Sequence, residues 1–326
     1  MPERFRVSYP PVPNPRAPDF KLPDGTVDAA FDPGNRVRGT VFDIALGWGR
    51  ILAVGDAGVA ALAPDGSRAA DFAPPAIDGD VFAVALQSNG KIVIGGEFTR
   101  VDGAVRNNVA RLNRDGSLDE SFDSGVGPNA SVHAVAVDRD GILIGGLFVT
   151  VDGLSSRRLA RLEFGGRLSR HFKVGSGFNG PVQAIYRRVD GRYLVGGSFG
   201  SYDGIAQDNV TLINGDGSLA NNKLGMLNLN GAVYSVSELP GGSSVFGGSF
   251  IKRDEWGYNR FALLDYLSSV QPPRLGIAHA GPGRPRERPT RRGAGRVVVV
   301  WSETRWTDSV LHALRKLHAR RASHYT

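Results

Sequence analysis

The chain has 326 residues, of which 41% are hydrophobic, and it contains 44 glycines, 19 prolines and no cysteine. This composition permits a buried core, and the lack of cysteine excludes disulfide bonds, thiolate metal sites and a cysteine nucleophile. The formal net charge of +7 is uneven, because residues 268–326 hold 12 Lys and Arg against 3 Asp and Glu. Residues 1–267 hold 27 against 29, so an electrostatic function would belong to the C-terminal segment.

The N-terminal residues 1–23 contain seven prolines and are expected to form an extended arm without a core of its own. The arm is interpreted either as a disordered leader or as a segment that lies on a neighbouring subunit. No charged start is followed by an apolar run, so we expect no secretory signal. The sequence also has no apolar run of about 18 residues, so we predict no membrane span.

One sequence unit then recurs along most of the chain. It reads as an alternating apolar strand, a tight turn, a Gly-Gly-x-Phe step, an Asp-Gly turn and a final Asp-Gly-Ser turn. The Gly-Gly pairs fall at 95–96, 145–146, 196–197 and 247–248, and the first copy has only Gly55 at this place. A fixed period of about 50 residues indicates a repeat architecture.

Each unit predicts four short antiparallel strands, which is the pattern of a propeller blade. We predict an all-β, five-bladed β-propeller over residues 24–267. Residues 24–31, DGTVDAAF, match the fourth strand of a unit, whereas the fifth unit has no visible fourth strand. The N-terminal strand is expected to complete the last blade and close the ring, and an open solenoid is the alternative. The blades are expected at about 41–75, 81–123, 131–172, 182–220 and 233–266.

The second copy, from Val81 to Asp123, reads VFAVALQSNGKIVIGGEFTRVDGAVRNNVARLNRDGSLDESFD. This pattern resembles the delta-60 repeat, a β-propeller repeat of bacterial and phage proteins. The first copy departs from it by lacking the Gly-Gly-x-Phe step, and the fifth has Asp254-Glu255 in place of Asp-Gly. The resemblance implies a propeller fold and commonly a surface or virion setting. It implies no defined reaction and no catalytic residues.

The repeated polar and aromatic residues are interpreted as scaffold, because binding sites normally break symmetry. The Asp-Gly pairs that begin at Asp102, Asp152 and Asp203 are predicted to form turns. Arg111 and Arg161 are predicted to pack between blades and to pair with an acid such as Asp119. The phenylalanines of the Gly-Gly-x-Phe steps and of the fourth strands are predicted to be core.

The sequence contains no recognisable catalytic or metal motif. His133 and His171 are the histidines of the propeller region, and we interpret both as structural because no HxH or HExxH spacing occurs. Residues 138–141, DRDG, resemble the start of a calcium loop, but the twelfth position is Val149 where that loop needs Glu. We predict no catalytic residue, no metal and no cofactor, and we predict that the protein is not an enzyme. A propeller hydrolase or lyase is the least favoured hypothesis.

The C-terminal segment 268–326 divides into a Pro/Gly/Arg linker at 271–296, a short strand at 297–303 and a helix at about 307–321. Thr307 can cap the helix. Its apolar stripe needs a partner, and other protein subunits are the favoured partner, with a polyanion or a solvated tail as alternatives. We do not expect nucleic-acid binding, because the basic and aromatic residues do not interleave. The predicted docking residues are Trp306, Val310, Leu311, Leu314, Leu317, Arg315, Arg320 and Arg321.

Two functions are weighed from this organisation. The favoured one is a structural or interaction module, with a phage virion part (tail, fibre or baseplate-associated) as its setting and the terminal extensions as docking segments. The other is an adhesin on a bacterial cell surface or virion that binds a glycan or receptor through loop aromatics. The candidate ligand-binding residues are Trp48, Tyr202, Trp256 and Tyr258.

Overall fold

The structure is a computed structural model that describes residues 31–34, 36–221, 229–238 and 244–250, and the backbone of strands at 261–264, 274–277 and 296–299. These residues form 23 strands and no α-helix, so the described part of the chain is all-β. Among them there is accordingly no helix long and apolar enough to cross a membrane. The predicted arm at 1–23 and the predicted helix at 307–321 lie outside the described residues.

Five sheets share one plan, in which three strands follow one another in sequence and pair antiparallel. The first strands are β1 Val41–Gly47, β4 Asp80–Leu86, β9 Val132–Asp138, β14 Val182–Arg187 and β19 Val233–Glu238. The second strands are β2 Arg50–Gly55, β5 Ile92–Glu97, β10 Gly141–Gly146, β15 Tyr193–Gly197 and β20 Ser244–Gly248. The third strands are β3 Gly58–Leu62, β8 Val109–Leu112, β13 Leu159–Leu162, β18 Val210–Ile213 and β21 Phe261–Leu264.

The predicted tight turns join the first strand to the second. Gly90, Gly141 and Gly191 have positive φ angles, which a side chain would disfavour, so these turns require glycine. In the first sheet, Trp48 and Gly49 both have positive φ, 53° and 71°, as a two-residue type I′ hairpin requires. The Asn-Gly and Asp-Gly signals in the sequence therefore marked real turns.

Small two-stranded hairpins stand between the second and third strands of three sheets. The Asp-Gly pairs form their turns, and Asp102 has a φ of 50° followed by 78° at Gly103. The Asp102 carboxylate also accepts the Ala76 N–H at 2.8 Å, which ties the hairpin to the preceding loop. The turn role predicted for these aspartates is confirmed. The hairpins are β6 Arg100–Val101 with β7 Ala104–Val105, β11 Thr150–Val151 with β12 Leu154–Ser155, and β16 Ser201–Tyr202 with β17 Ile205–Ala206.

In the first four sheets the predicted fourth strand is wrong as a regular strand, whereas the one predicted for the fifth blade falls on residues 24–31, of which 24–30 lie outside the described residues. The segment after each Asp-Gly-Ser turn, or its counterpart, makes a single bridge, as Leu118 does with Leu112. The chain then turns away, because the Phe122 N–H donates to the Asp119 carbonyl at 3.2 Å. Phe122 is fully buried. The segment thus stops pairing with the third strand, and its aromatic ring is buried in the core.

Glycine lets successive sheets approach closely. A Cβ on Gly145 would overlap Val182 Cγ1 of the next sheet and would lie only 2.9 Å from Ile185 Cδ1. Gly95 and Gly196 stand in the same relation to the sheets that follow them. The phenylalanines three residues after these glycines are buried. This confirms the prediction that the Gly-Gly-x-Phe step combines close packing with an aromatic wedge.

The first strands lie side by side around a common axis. β1 packs against β4, β4 against β9, β9 against β14 and β14 against β19. Residues from all five line one cavity of about 430 Å³. Antiparallel sheets that fan around a central cavity define a propeller-like fold.

The fifth sheet carries two further strands, β22 Arg274–Ile277 and β23 Arg296–Val299. β23 pairs antiparallel with β21, and β22 pairs parallel with β23. The strand predicted at 297–303 overlaps β23 and otherwise lies outside the described residues. β23 occupies the edge of β21 where we expected residues 24–31, of which 24–30 lie outside the described residues.

Candidate functional site

The central cavity is lined by one side chain from the same position of each first strand. In each of the five sheets the pairing between the first and second strands shifts register at this position, so the residue that follows the first valine of the strand stands in a β-bulge. A bulge re-aims the side chain of its extra residue, and bulges often lie next to binding sites. The five residues are Phe42, Phe82, His133, Gln183 and Tyr234, and all of them line the cavity.

These five positions differ in chemistry although their surroundings repeat. The residue before each of them is always valine, at 41, 81, 132, 182 and 233. The residue after is alanine or serine in four sheets and Asp43 in the first. Scaffold positions are kept constant by packing, whereas the cavity positions break the fivefold repetition. The cavity is therefore a place in the described structure where the repeat carries individual side chains.

Aromatic rings form one wall of the cavity. Phe42 and Phe82 are 5.3 Å apart between ring centroids with an interplanar angle of 71°, and Phe82 and His133 are 5.2 Å apart at 89°. Edge-to-face contacts of this kind are favourable beyond the area they bury. The ring planes turn from one strand to the next, so the wall bends around the cavity. His133 also contacts Ser131, with Nε2 at 3.0 Å from Oγ.

Asp43 places a carboxylate in this wall. One of its oxygens accepts the Ile44 N–H at 2.8 Å, and the other accepts the Val84 N–H of the neighbouring strand at 3.0 Å. The Asp43 carboxylate is partly withdrawn from water, and this desolvation raises the pKa of Asp43 to about 6. The two backbone hydrogen bonds oppose that rise. Each oxygen keeps acceptor capacity for a ligand.

Gln183, Tyr234 and Ser235 supply the neutral polar groups of the cavity. The Oε1 atom of Gln183 is buried and has no hydrogen-bond partner among the described residues. A buried acceptor without a partner costs free energy, so a donor from a bound molecule would be favourable here. Ser235 is exposed to the cavity, where a larger side chain would reduce its volume.

The described residues that line the cavity include one carboxylate and no Lys or Arg. The part of the chain that the structure describes also holds no group of three or more His, Asp or Glu that could bind a metal ion. Aromatic faces, one carboxylate and an amide oxygen can bind a small molecule through ring contacts and by accepting hydrogen bonds.

Trp48 is the predicted ligand residue that the structure places at a surface cavity. It is half-buried at the turn between β1 and β2, and the Arg114 guanidinium lies over its ring, 5.7 Å from the centroid. Lys91 and Asn113 line the same cavity of about 450 Å³. The Trp48 ring and the Arg114 guanidinium thus contact each other at this surface cavity.

Tyr202, by contrast, does not present its ring to solvent. The side chain is 1% exposed and packs with Phe178 and Phe199, and its hydroxyl donates to the Gly217 carbonyl. Burial raises the pKa of Tyr202, because the phenolate would lose its hydration. The sequence prediction placed this residue on a loop, whereas it lies in a short strand of an outer hairpin. A ligand cannot reach it without displacing core contacts.

The other predicted site residues lie outside the described residues. They are Trp256, Tyr258, Trp306, Val310, Leu311, Leu314, Leu317, Arg315, Arg320 and Arg321. Ligand binding by the first two and docking by the rest stay predictions.

The arginines assigned to the scaffold make the contacts that we predicted. Arg111 Nε lies 2.7 Å from Asp119 Oδ2, and the guanidinium lies 5.0 Å from the centroid of Phe122. Arg111, Ser121 and Lys91 together hold the pKa of Asp119 well below its usual range, although burial acts in the opposite direction. These charges stabilise the scaffold, and none of them is among the described residues that line the central cavity.

The sequence analysis missed the central cavity. It considered His133 on its own and found no cluster of residues that departs from the repeat. The available signal was the residue after the constant valine, which changes from copy to copy, together with Asp43 in place of alanine or serine. This variation indicates a cavity only when the five first strands are known to face one another.

The antiparallel sheets around a central cavity define a β-propeller-like protein. A family model described as "Domain of unknown function (DUF5122) beta-propeller" matches residues 87–122 and 190–219, which fall within two of the repeats. No curated protein matches the chain.

Several solved structures are similar to the chain. A protein of unknown function from Bacteroides caccae is 17% identical, with 67% of this chain and 70% of that chain covered and a TM-score of 0.41. The WD40 β-propeller domain of Doa1 is 14% identical, with 64% and 90% covered and a TM-score of 0.30. A gluconolactonase from Xanthomonas campestris is 15% identical, with 61% and 65% covered and a TM-score of 0.40. Likenesses of this size give no activity, ligand or partner to this chain.

The prediction that the protein is not an enzyme is corrected by these comparisons. One of the similar propellers is a gluconolactonase, so the resemblance to propellers gives no ground for excluding catalysis. At 15% identity it assigns no reaction either. Nothing in the described structure or in the comparisons points to a virion role or to adhesin binding.

Proposed function

We propose that this chain is a ligand-binding β-propeller domain whose central cavity holds one small polar molecule. The observation that carries the proposal is the set of five side chains, of four different kinds, at one repeated position, all lining the same cavity. Its volume of about 430 Å³ falls within the range of small-molecule sites. The unsatisfied Gln183 oxygen and the Asp43 carboxylate supply polar contacts that would orient the bound molecule.

A small panel of probes tests this function. We expect at least one of glucose, N-acetylglucosamine, choline, glutamate and adenosine to shift the side-chain NMR resonances of His133 and Tyr234, because both line the cavity. Replacement Ser235→Trp is expected to abolish the shifts by filling the cavity. The matched control Ser155→Trp adds the same side chain to an exposed position of the hairpin formed by β11 and β12 and should leave them unchanged. If no probe moves either resonance, the proposal is wrong.

We also propose that the five sheets are the blades of a ring closed by residues 24–31. Phe31 is 3% exposed and packs on Ile51 and Leu62 of the first sheet. The next residue, Asp32, donates its N–H to the Asp65 carbonyl at 2.9 Å. The residues that follow Phe72, Phe122 and Phe172 make the equivalent bond to the next sheet, at 2.8, 2.8 and 2.7 Å. Phe31 thus occupies the place that the last residue of a preceding blade would fill.

Closure can be measured with engineered disulfides, since the chain has no native cysteine. By the repeat, Val27 should pair with Leu264, as Leu118 pairs with Leu112. The double variant Val27→Cys/Leu264→Cys is expected to form a disulfide under mild oxidation, because antiparallel neighbours lie within disulfide reach. The competing variant Leu264→Cys/Val297→Cys tests the pairing of β21 with β23. Cross-linking of the second pair alone would contradict ring closure.

A further inference from the structure

We propose that the molecule bound in the central cavity is an organic cation of the alkylammonium class, held between the aromatic wall and the carboxylate of Asp43. This inference rests on the proposed function, because it names the class of ligand for that same cavity. Its basis is the charge and the ring content of the cavity lining.

The charge of the cavity is the first argument. Among the described residues of the lining, Asp43 is the one acid, and neither Lys nor Arg is present to balance it. No salt bridge between described residues involves Asp43; its oxygens accept the backbone N–H groups of Ile44 and Val84. A carboxylate withdrawn from water without a countercharge is costly, and the pKa of Asp43, raised to about 6, reflects that cost. A bound cation would relieve it.

The aromatic wall is the second argument. Phe42, Phe82 and Tyr234 line the cavity together with the imidazole of His133. The planes of neighbouring rings are rotated by 71° and 89°, so the rings meet edge to face and are not stacked. Ring faces attract a cation through their quadrupole, most strongly where water is excluded. An alkylammonium group combines the charge that Asp43 needs with the apolar surface that the rings contact.

The neutral polar groups fit the same class. The unsatisfied Gln183 Oε1 atom can accept a hydrogen bond from an N–H or O–H of the ligand. An anionic ligand would instead face a carboxylate with no cation nearby to offset the repulsion. A neutral sugar would satisfy Gln183 but would leave Asp43 without a countercharge.

Choline and its neutral isostere 3,3-dimethylbutan-1-ol provide the test, since they differ mainly in charge. We expect choline to bind the unaltered protein at least about 10-fold more tightly, with shifts of the His133 and Tyr234 side-chain resonances. In Asp43→Asn the preference for choline should fall at least about threefold, because the carboxylate no longer attracts the cation and the aromatic rings alone supply the preference that remains. The control Asp80→Asn removes a carboxylate at the start of β4 that does not line the cavity and should keep the preference. The comparison of probes on the unaltered protein holds even if Asp43→Asn fails to fold.

The outcomes separate the two proposals. If the isostere or glucose shifts the same resonances as strongly as choline does, the cation inference is wrong and the ligand-binding function stands. A choline preference that is undiminished in folded Asp43→Asn also overturns the inference, because Asp43 would then not recognise the charge. If none of these probes, nor any other member of the panel, affects His133 or Tyr234, the ligand-binding function fails as well.

Discussion

Replacing Gly145 by valine is expected to lower the free energy of unfolding by about 3 kcal/mol. The new side chain would enter space held by Val182 and Ile185 of the next sheet, where even a Cβ lies within 2.9 Å of Ile185 Cδ1. Both neighbours belong to β14, whose backbone is held by β15, so relief requires the two sheets to move apart. Denaturant unfolding followed by tryptophan fluorescence measures the loss.

The same substitution at Gly165 is the matched control. Nothing lies within 4 Å of a Cβ at that position, and its φ is outside the left-handed region. We expect Gly165→Val to change the free energy of unfolding by no more than about 0.5 kcal/mol. Equal losses of unfolding free energy in the two variants would mean that close packing between the sheets is not what destabilises Gly145→Val.

Replacing Arg161 by methionine is also expected to cost about 3 kcal/mol of stability. The guanidinium lies 3.4 Å from Asp138 Oδ1 and donates to the Tyr193 hydroxyl at 2.5 Å. The side chains of Arg161 and Asp138 are 5% and 3% exposed. Methionine would fill much of the volume but would leave the Asp138 carboxylate buried, with Arg187 as its remaining ion-pair partner at 3.4 Å. Breaking a buried pair on one side is costlier than removing both partners.

Two further variants test that explanation by chemical denaturation. Arg192→Met breaks the ion pair with Asp190, whose side chains are each about one-third exposed, and should cost less than about 1 kcal/mol. The double variant Arg161→Met/Asp138→Leu removes both buried charges and should recover most of the loss. If the double variant is no more stable than Arg161→Met, the stranded carboxylate is not the cause.

Local sequence signals were sufficient for the repeat itself. Asn89-Gly90 and Asp102-Gly103 predicted turns, and each turn forms because glycine or a short polar residue tolerates the backbone angles there. The Gly-Gly-x-Phe steps predicted close packing and buried rings for the same reason: only glycine admits the neighbouring strand. Each of these features depends on a few adjacent residues, so it can be read without knowing the rest of the fold.

The fourth strand shows where local reasoning failed. The segment of Leu118 has the alternating pattern of a strand, yet it forms one bridge before Phe122 turns into the core. The sequence predicted the buried ring and the strand separately. Burial of the aromatic ring and a hydrogen bond from Asp123 to Gly165 of the next sheet outweigh further pairing with β8, and both depend on a neighbour about 40 residues away.

Residues close together in the chain were enough to predict an all-β repeat, its turns, its packing glycines and its paired arginines. The meeting of Phe42, Asp43, His133, Gln183 and Tyr234 in one cavity follows instead from how the sheets pack. They come from four different sheets, spread over nearly 200 residues of sequence. The bulges aim them inward and the packing of first strand on first strand brings them together, and neither contact is encoded in the spacing of the residues involved.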